Sequence, residues 1–221
     1  AEKLDAMSKE REAVQAGHAR HFTAFLGRQQ PRLRAAEQRQ ALEEIEPEIE
    51  NARLAWNVAV SRGWAERVEQ SLEGLYQFHH VRGRFREGID LLEGAIGRWR
   101  NDVQHERVYG AALARQGALF ARLRYYDRAE TALENSLSIF QRLGIANEQI
   151  FCLVHLLYVL SYRGEYDRAE VLAARGLALA REIEDTWWIA RALDLTGLIR
   201  YRKGDVDQAE ALCEESLSIS R

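Results

Sequence analysis

The chain has 221 residues, 47% of them hydrophobic and 29% charged, and its formal net charge is −3. This composition is typical of a water-soluble globular protein with enough apolar material for a core. The absence of a basic excess argues against direct binding of nucleic acid or of an anionic membrane.

Residue usage and the ends of the chain further limit the class of protein to which it can belong. Ala, Leu, Glu and Arg dominate and only 2 prolines occur, which favours helix throughout. No apolar run approaches the roughly 18 residues needed to span a membrane, and no signal peptide opens the sequence. We therefore expect a cytoplasmic protein. Because the first residue is Ala1 rather than methionine, we also expect the sequence to be part of a longer polypeptide.

Residues 1–63 predict a helical hairpin region that leads into the rest of the chain. Residues 2–8 are expected to end a helix that began upstream, and Ser8 to cap the next one. Gly27 and Pro31 are expected to close that next helix. Its apolar face is predicted from residues at helical spacing, namely Val14, His18, Phe22 and Phe25.

A second helical stretch is predicted from about Arg34 to Ser61, with Pro47 inside it. Proline in a helix interior costs about 3 kcal/mol. We therefore expect a break near Glu46, with Pro47 in the first turn of a new helix that ends at Gly63.

The sequence from residue 64 onward repeats itself at a nearly fixed period. Ala209 and Ala169 are 40 residues apart, Ala169 and Ala129 are 40 apart, and Ala129 and Gly88 are 41 apart, each in a similar local sequence. The repeats are assigned to 64–103, 104–145, 146–184 and 185–221. Such a period is typical of a repeat array in which each unit buries its apolar face against its neighbours.

Each repeat predicts two helices joined by a short turn. The predicted pairs are Ala65–Val81 with Phe85–Arg100, His105–Leu123 with Tyr126–Leu143, Asn147–Arg163 with Tyr166–Glu182, and Asp185–Lys203 with Val206–Arg221. The turn glycine, as in Gly164, can take a positive φ without steric cost. Arg124 replaces it in the second repeat and is expected to be strained unless that turn differs. Small residues such as Ala169 let the two helices of a pair approach closely.

These repeats resemble the tetratricopeptide pattern, although the period is 40 rather than 34 residues and Tyr76 and Leu157 stand where a small residue is usual. The resemblance implies an all-α fold, a right-handed superhelical solenoid of antiparallel helix pairs. In such arrays the first helix of each pair lines a concave groove. Carried over by position, the groove residues include Gln77, His80, Arg122, Val154, Tyr158, Tyr162, Asp194, Leu198, Tyr201 and Arg202.

The whole chain also resembles the region that follows the winged-helix module in bacterial signal-transduction ATPases of the STAND class. The residues that carry this resemblance include Asn51-Ala52-Arg53, Ala55-Trp56, Glu87-Gly88, Leu91-Leu92-Glu93 and Glu134-Asn135-Ser136-Leu137. The resemblance implies a sensor arm that binds an inducer or a partner protein and controls a nucleotide switch. It also implies an upstream nucleotide-binding and winged-helix region. The chain itself has no G-x-x-x-x-G-K-[ST] stretch, so we expect no ATP binding by that route.

Candidate chemistry is sparse, and we expect neither a catalytic site, nor a metal, nor a cofactor. His18 and His21 have no evident third metal ligand. Cys152 lies near His155 without an orienting group, and both Cys152 and Cys213 are expected to be buried free thiols. The acidic residues around Pro47 are expected to form a solvated helical face.

The leading functional hypothesis is a non-catalytic sensor module that binds a protein, a peptide or a small inducer in its groove. Tyr158, Tyr162 and Tyr201 with Arg122 and Arg202 form the expected anchor set, because Tyr and Arg are enriched at binding hot spots. The alternative is a structural scaffold without a diffusible ligand, which self-associates through an uncapped last repeat containing Leu212, Leu217 and Ile219.

Overall fold

The chain is all-α in the computed structural model, which describes the backbone of residues 2–219 and the side chains of residues 10–219. Within those residues there are α-helices, two short 3-10 turns and no strand. The predicted all-α fold of helix pairs is therefore confirmed. Between residues 2 and 219, every helix is too short or too polar to cross a lipid bilayer.

The helices follow one another with short connections. They are α1 (Glu2–Leu33), α2 (Gln38–Ile45), α3 (Ile49–Ser61), α4 (Ala65–Val81), α5 (Phe85–Trp99), α6 (Glu106–Arg122), α7 (Tyr126–Leu143), α8 (Ala146–Arg163), α9 (Tyr166–Glu182), α10 (Thr186–Arg202) and α11 (Val206–Ile219). The 3-10 turns are Glu46–Glu48 and Val103–His105. The last two residues of the predicted final helix, 220 and 221, lie outside the described part.

The chain divides into two compact units, Ala1–Ala112 and Leu113–Arg221. The predicted division into an N-terminal region and four repeats remains a prediction. In the first unit, α4 packs against α1, α3 and α5. In the second unit, α8 packs against α7, α9 and α10, and α11 packs against α10.

The first helix differs from its prediction. α1 is continuous from Glu2 to Leu33, so no helix begins at Ser8, and neither Gly27 nor Pro31 ends the helix. Pro31 removes one backbone hydrogen bond, but the fully buried Leu26 and the nearly buried Leu33 hold the last turns against the core.

The buried face of α1 is also not the predicted one. Val14 is 67% exposed, whereas Ala19, Thr23, Leu26 and Leu33 are each at most 1% exposed. These residues lie on a neighbouring side of the helix from the predicted face. His18, Phe22 and Phe25 are half-buried at the edge of the contact, with the rings of His18 and Phe22 4.7 Å apart.

The break at Pro47 is confirmed, because α2 ends at Ile45 and the 3-10 turn Glu46–Glu48 carries the proline. The acidic residues around it are less solvated than expected. Glu44 pairs with Arg32 at 2.6 Å, and Glu46 pairs with Arg82 at 2.8 Å. The Arg32 guanidinium lowers the pKa of Glu44 to about 2 by hydrogen bonding.

The repeat positions behave as the period predicts. Gly88, Ala129, Ala169 and Ala209 are all buried. In the second unit, Leu157, Leu160, Ala169, Ala173 and Ile199 form one apolar cluster. A Cβ on Gly117 would lie 2.7 Å from the Leu133 side chain, so this glycine permits close approach of α6 and α7.

Several helix C-termini share one cap geometry. After α8, Gly164 takes φ 78° and the Glu165 amide donates to the Leu160 carbonyl at 3.0 Å, which is the long bond of a Schellman motif. The turn after α6 is the same, with the Tyr125 amide donating to the Phe120 carbonyl. Arg124 therefore adopts φ 62° at the glycine position, and Glu184 does likewise at φ 55°. A left-handed non-glycine residue costs about 1–2 kcal/mol.

His79 is a buried histidine in the first unit, with Nδ1 2.8 Å from the Leu75 carbonyl oxygen. Its Nε2 is buried and has no hydrogen-bond partner among the described residues. Burial lowers the pKa of His79, because a buried imidazolium would lose its hydration. As the sequence predicted for the adjacent pair, His79 packs inside while His80 reaches a surface.

We expect His79 to make stability pH-dependent. Because its pKa is lower in the folded state, the unfolded chain binds the proton more readily. Stability is then full above the unfolded pKa of about 6.5 and decreases as pH falls below it. Urea unfolding at pH 7.5 and pH 5.0 should show a smaller loss in His79→Leu than in the unmodified chain. His21→Leu, at an exposed position, is the control. An equal loss in His79→Leu and the unmodified chain would contradict this expectation.

Candidate functional site

The second unit brings four of the predicted groove residues into one surface. Arg122 ends α6, Tyr158 and Tyr162 lie in the last two turns of α8, and Arg202 ends α10. A fifth residue, Tyr126 at the start of α7, belongs with them. We call the five residues the tyrosine–arginine surface.

Ring contacts hold this surface together. The Tyr158 and Tyr162 rings are 4.7 Å apart between centroids, and the Tyr126 ring stacks on Tyr162 at 6.3 Å with an interplanar angle of 24°. The Arg202 guanidinium carbon lies 5.7 Å from the Tyr162 ring centroid, within cation–π distance. Tyr162 is thus the centre of the group, and it is still 44% exposed.

The electrostatics of the surface combine phenols and cations. Burial raises the pKa of Tyr158, and the neighbouring Tyr162 phenol raises it further. The Arg122 guanidinium is near enough to act in the opposite direction. The Tyr158 phenol therefore stays protonated at neutral pH, and the tyrosine hydroxyls of the surface can donate hydrogen bonds. With Arg122 and Arg202 beside them, they suit a ligand that offers a negatively charged acceptor and a flat apolar part.

One predicted groove residue is misplaced. Val154 is only 2% exposed and cannot contact a ligand from the surface. The first half of α8 is covered on nearly every side by the helices packed on it, with Ile150, Phe151 and Leu153 also buried. The open surface of α8 is reached at Tyr158, one turn later.

Three further predicted residues, Asp194, Leu198 and Tyr201, line a different feature. Together with Val206, Ala209 and Cys213 they border a cleft of about 400 Å³ between α10 and α11. We call it the α10–α11 cleft. Cys213 is exposed there, which corrects the expectation that it is buried. Cys213 is exposed because α11 has few buried residues; these include Ala209 and Ser216.

The remaining predicted residues belong to the first unit and are largely engaged in packing. Gln77 donates to the Glu73 carboxylate at 2.9 Å, and Glu73 also pairs with Arg34 at 2.9 Å. The His80 ring lies 5.5 Å from Tyr76 and 6.3 Å from Phe85. Both Gln77 and His80 are half-buried.

Sequence reasoning missed a second cavity, in the first unit. It has a volume of about 450 Å³ and is lined by residues that include Arg20, Trp64, Arg67 and His105. Trp64 and His105 carried no sequence signal, since each lies in a connection just before a helix.

Among the described residues, no group of three or more His, Cys, Asp or Glu side chains is placed to hold a metal ion. Burial raises the pKa of Cys152 to about 12, and its thiol donates to the Ser136 hydroxyl at 3.3 Å. A thiol in that state is not an activated nucleophile.

Comparisons with known proteins bear on the fold. No protein-family profile matches the chain, and no curated protein matches it. Among solved structures, BtubC (BKLC) from P. vanneervenii is similar with a TM-score of 0.67 and 19% identity, over 96% of this chain and 90% of that one. A Rap protein complexed with Competence and Sporulation Factor is similar with a TM-score of 0.60 and 15% identity, over 95% of this chain and 65% of that one. These likenesses support a tetratricopeptide-like helical-repeat fold.

Proposed function

We propose that the chain is a non-catalytic binding module whose tyrosine–arginine surface recognises a segment of a partner protein. The observation that carries this proposal is the meeting of Tyr126, Tyr158, Tyr162, Arg122 and Arg202 at one solvent-facing place. Tyr and Arg are among the residues most enriched at protein-binding hot spots. Within the described residues, the Arg202 guanidinium has no carboxylate partner, so it is available for an acidic group.

The similar fold of the Rap protein supports the same proposal, because that protein was crystallised with Competence and Sporulation Factor. The segment we expect here carries an acidic residue next to an aromatic or aliphatic one. The carboxylate would accept from the phenols and guanidinium groups, while the apolar side chain would cover the Tyr162 ring. A small anionic inducer is the other ligand that the same chemistry would accept.

The finer role follows from the resemblance to STAND-class regulators. We propose that ligand binding biases a nucleotide switch elsewhere in a parent polypeptide. The mechanism would be a population shift, in which the ligand favours one state of the arm and that state favours one state of the switch. This chain would supply the sensing half, in the cytoplasm.

A scaffold role is the second candidate. It is favoured by the apolar residues that α11 leaves exposed, since Val206 is 55% and Leu217 is 60% exposed. In that case the chain would self-associate through its last helix, and the tyrosine–arginine surface would have no ligand.

The binding proposal predicts a specific loss of affinity. Peptides selected on the intact chain from a random library should share an acidic residue beside an apolar one. Tyr162→Ala should weaken their binding by about 30-fold, the usual minimum effect of a hot-spot residue. Fluorescence anisotropy gives the dissociation constants, and circular dichroism confirms that the variant is folded.

Tyr125→Ala is the matched control, because Tyr125 is also an exposed tyrosine of the second unit, at 43%, but lies outside the surface. Equal losses in the two variants, or peptides insensitive to Tyr162→Ala and Arg202→Ala, would overturn the proposal. Failure to select any peptide, together with self-association that Leu217→Asp abolishes in sedimentation velocity, would establish the scaffold role instead.

A further inference from the structure

The cavity of the first unit is lined by several hydrogen-bond donors. Arg20 of α1 and Arg67 of α4 contribute guanidinium groups, Trp64 directly precedes α4, and His105 directly precedes α6. Among the lining residues that the structure describes, Glu66 is the one carboxylate, and it is exposed. The volume of about 450 Å³ falls within the range of about 300–1,000 Å³ that is usual for small-molecule sites. We call this feature the Trp64 cavity.

The donors of the Trp64 cavity have unused hydrogen-bonding capacity. The Arg20 Nε donates to the Ala16 carbonyl at 3.2 Å, and Arg67 donates to the Gln70 side-chain oxygen at 3.2 Å. Neither arginine has a carboxylate partner among the described residues. Because a guanidinium carries five N–H donors, most of them are left for a ligand. The Trp64 indole N–H also has no hydrogen-bond partner in the described part of the chain.

The His105 ring is held in place by its neighbours. Its Nδ1 lies 2.8 Å from a carboxylate oxygen of Asp102, and its centroid lies 6.3 Å from that of the Trp99 ring. The Asp102 carboxylate also accepts from the Gln104 amide at 3.0 Å. With Nδ1 engaged, Nε2 is the ring nitrogen that can contact a ligand. His105 therefore adds a positioned polar group to the wall of the cavity.

Two further cations contact residues of the cavity wall. The Arg62 guanidinium carbon lies 5.4 Å from the Trp64 ring centroid, within cation–π distance. Arg98 packs against Gly63, since a Cβ on that glycine would lie 2.7 Å from a terminal nitrogen of Arg98. Neither Arg62 nor Arg98 pairs with a carboxylate among the described side chains. Positive charge thus accumulates here although the net charge of the chain is −3, and such an excess attracts ligands of the opposite sign.

We propose that the Trp64 cavity binds a small aromatic anion, that is, a planar ring that carries a carboxylate or a phosphate group. The ring lies against the Trp64 indole, and the anionic group accepts hydrogen bonds from the guanidinium groups that line the cavity. An aromatic side chain and a few convergent donors are the usual lining of a site for such a ligand. The cavity belongs to the first unit, so this inference does not depend on the tyrosine–arginine surface.

The probe for this proposal is β-naphthoate, and β-naphthamide is its neutral counterpart. The chain has 5 tryptophans, so heteronuclear NMR of the intact chain gives one indole N–H signal for each, and Trp64→Phe identifies the signal of Trp64. Titration with naphthoate should shift this signal, with a dissociation constant about tenfold lower than that of naphthamide, because charge-assisted hydrogen bonds are about twice as strong as neutral ones. A parallel titration with β-naphthyl phosphate shows which anionic group the cavity prefers.

Two double variants of equal charge localise the binding. Arg20→Gln/Arg67→Gln should weaken naphthoate at least about tenfold and leave naphthamide unchanged. Arg28→Gln/Arg86→Gln removes the same charge at exposed positions outside the cavity and should change neither affinity. Circular dichroism checks that both variants are folded. The proposal is wrong if naphthoate and naphthamide bind alike, if the two double variants behave alike, or if none of the three probes shifts the Trp64 signal.

Discussion

Replacing Glu148 by leucine is expected to destabilise the chain by about 3–5 kcal/mol, the cost of removing one member of a buried ion pair. Glu148 lies in the first turn of α8 and forms a two-point ion pair with Arg115 of α6, whose second contact is 3.0 Å. Arg115 is 5% exposed, and its guanidinium carbon lies 4.2 Å from the centroid of the Phe151 ring. Without Glu148, the buried Arg115 guanidinium would lose this two-point ion pair.

Urea unfolding measures the loss, and a double variant tests its cause. Arg115→Leu/Glu148→Leu removes both charges and should be less destabilised than Glu148→Leu alone, because apolar residues of similar size often replace a buried pair without loss. A double variant that loses as much as the two single variants added together would show that packing, rather than charge, dominates. If Glu148→Leu lowers the free energy of unfolding by less than about 1 kcal/mol, this pair stabilises the fold no more than an ordinary surface salt bridge does.

The helix pairs could be predicted from the sequence because their boundaries are set by local signals. The predicted and observed limits agree for Ala65–Val81, Tyr126–Leu143 and Tyr166–Glu182. Each of these helices ends or begins at a turn that contains a left-handed residue followed by an aromatic residue. Once this turn is recognised in one repeat, the same boundary can be assigned in the next. Arg124 shows how strong this periodic constraint is, since the turn keeps its geometry without glycine.

The N-terminal helices were predicted less well because non-local contacts decide them. Ser8, Gly27 and Pro31 are local signals for helix ends, yet α1 continues through all three. Gly27 is needed for a different reason, since a Cβ there would lie 2.8 Å from the Gln70 side chain and 2.9 Å from its carbonyl oxygen. From the sequence alone, a glycine that lets two helices pack closely looks the same as a glycine that ends a helix. The two are distinguished only when the residues packed against the glycine are known.

The candidate site was predicted in part for the same reason. The resemblance to tetratricopeptide arrays implied that Arg122, Tyr158, Tyr162 and Arg202 line one groove, and the structure brings these four together. Positions carried over from a family could not show that the middle of α8 is covered, and so the buried Val154 was included among them. Tyr126 was not among the predicted groove residues, because its stacking on Tyr162 depends on the next repeat.

Gly74→Ala is expected to destabilise the first unit by about 1–3 kcal/mol, although alanine is the better helix former. A Cβ on Gly74 would lie 2.7 Å from the Leu26 carbonyl oxygen and 3.2 Å from its carbonyl carbon. Those atoms are backbone of α1 and cannot rotate away as the end of a side chain can. The two helices would have to separate, which would loosen the contact that also contains Gly27 and Gln70.

Gly94→Ala is the matched control, since Gly94 is also a helical glycine but has nothing within 4 Å of its would-be Cβ. There the change should stabilise by about 0.5–1 kcal/mol, because alanine loses less backbone freedom on folding and nothing opposes it. Urea unfolding of the two variants should therefore give shifts of opposite sign. If Gly74→Ala also stabilises the chain, α1 and α4 are not held at this close distance in solution. Packing of α1 against the core would then not explain why the helix continues through Gly27 and Pro31.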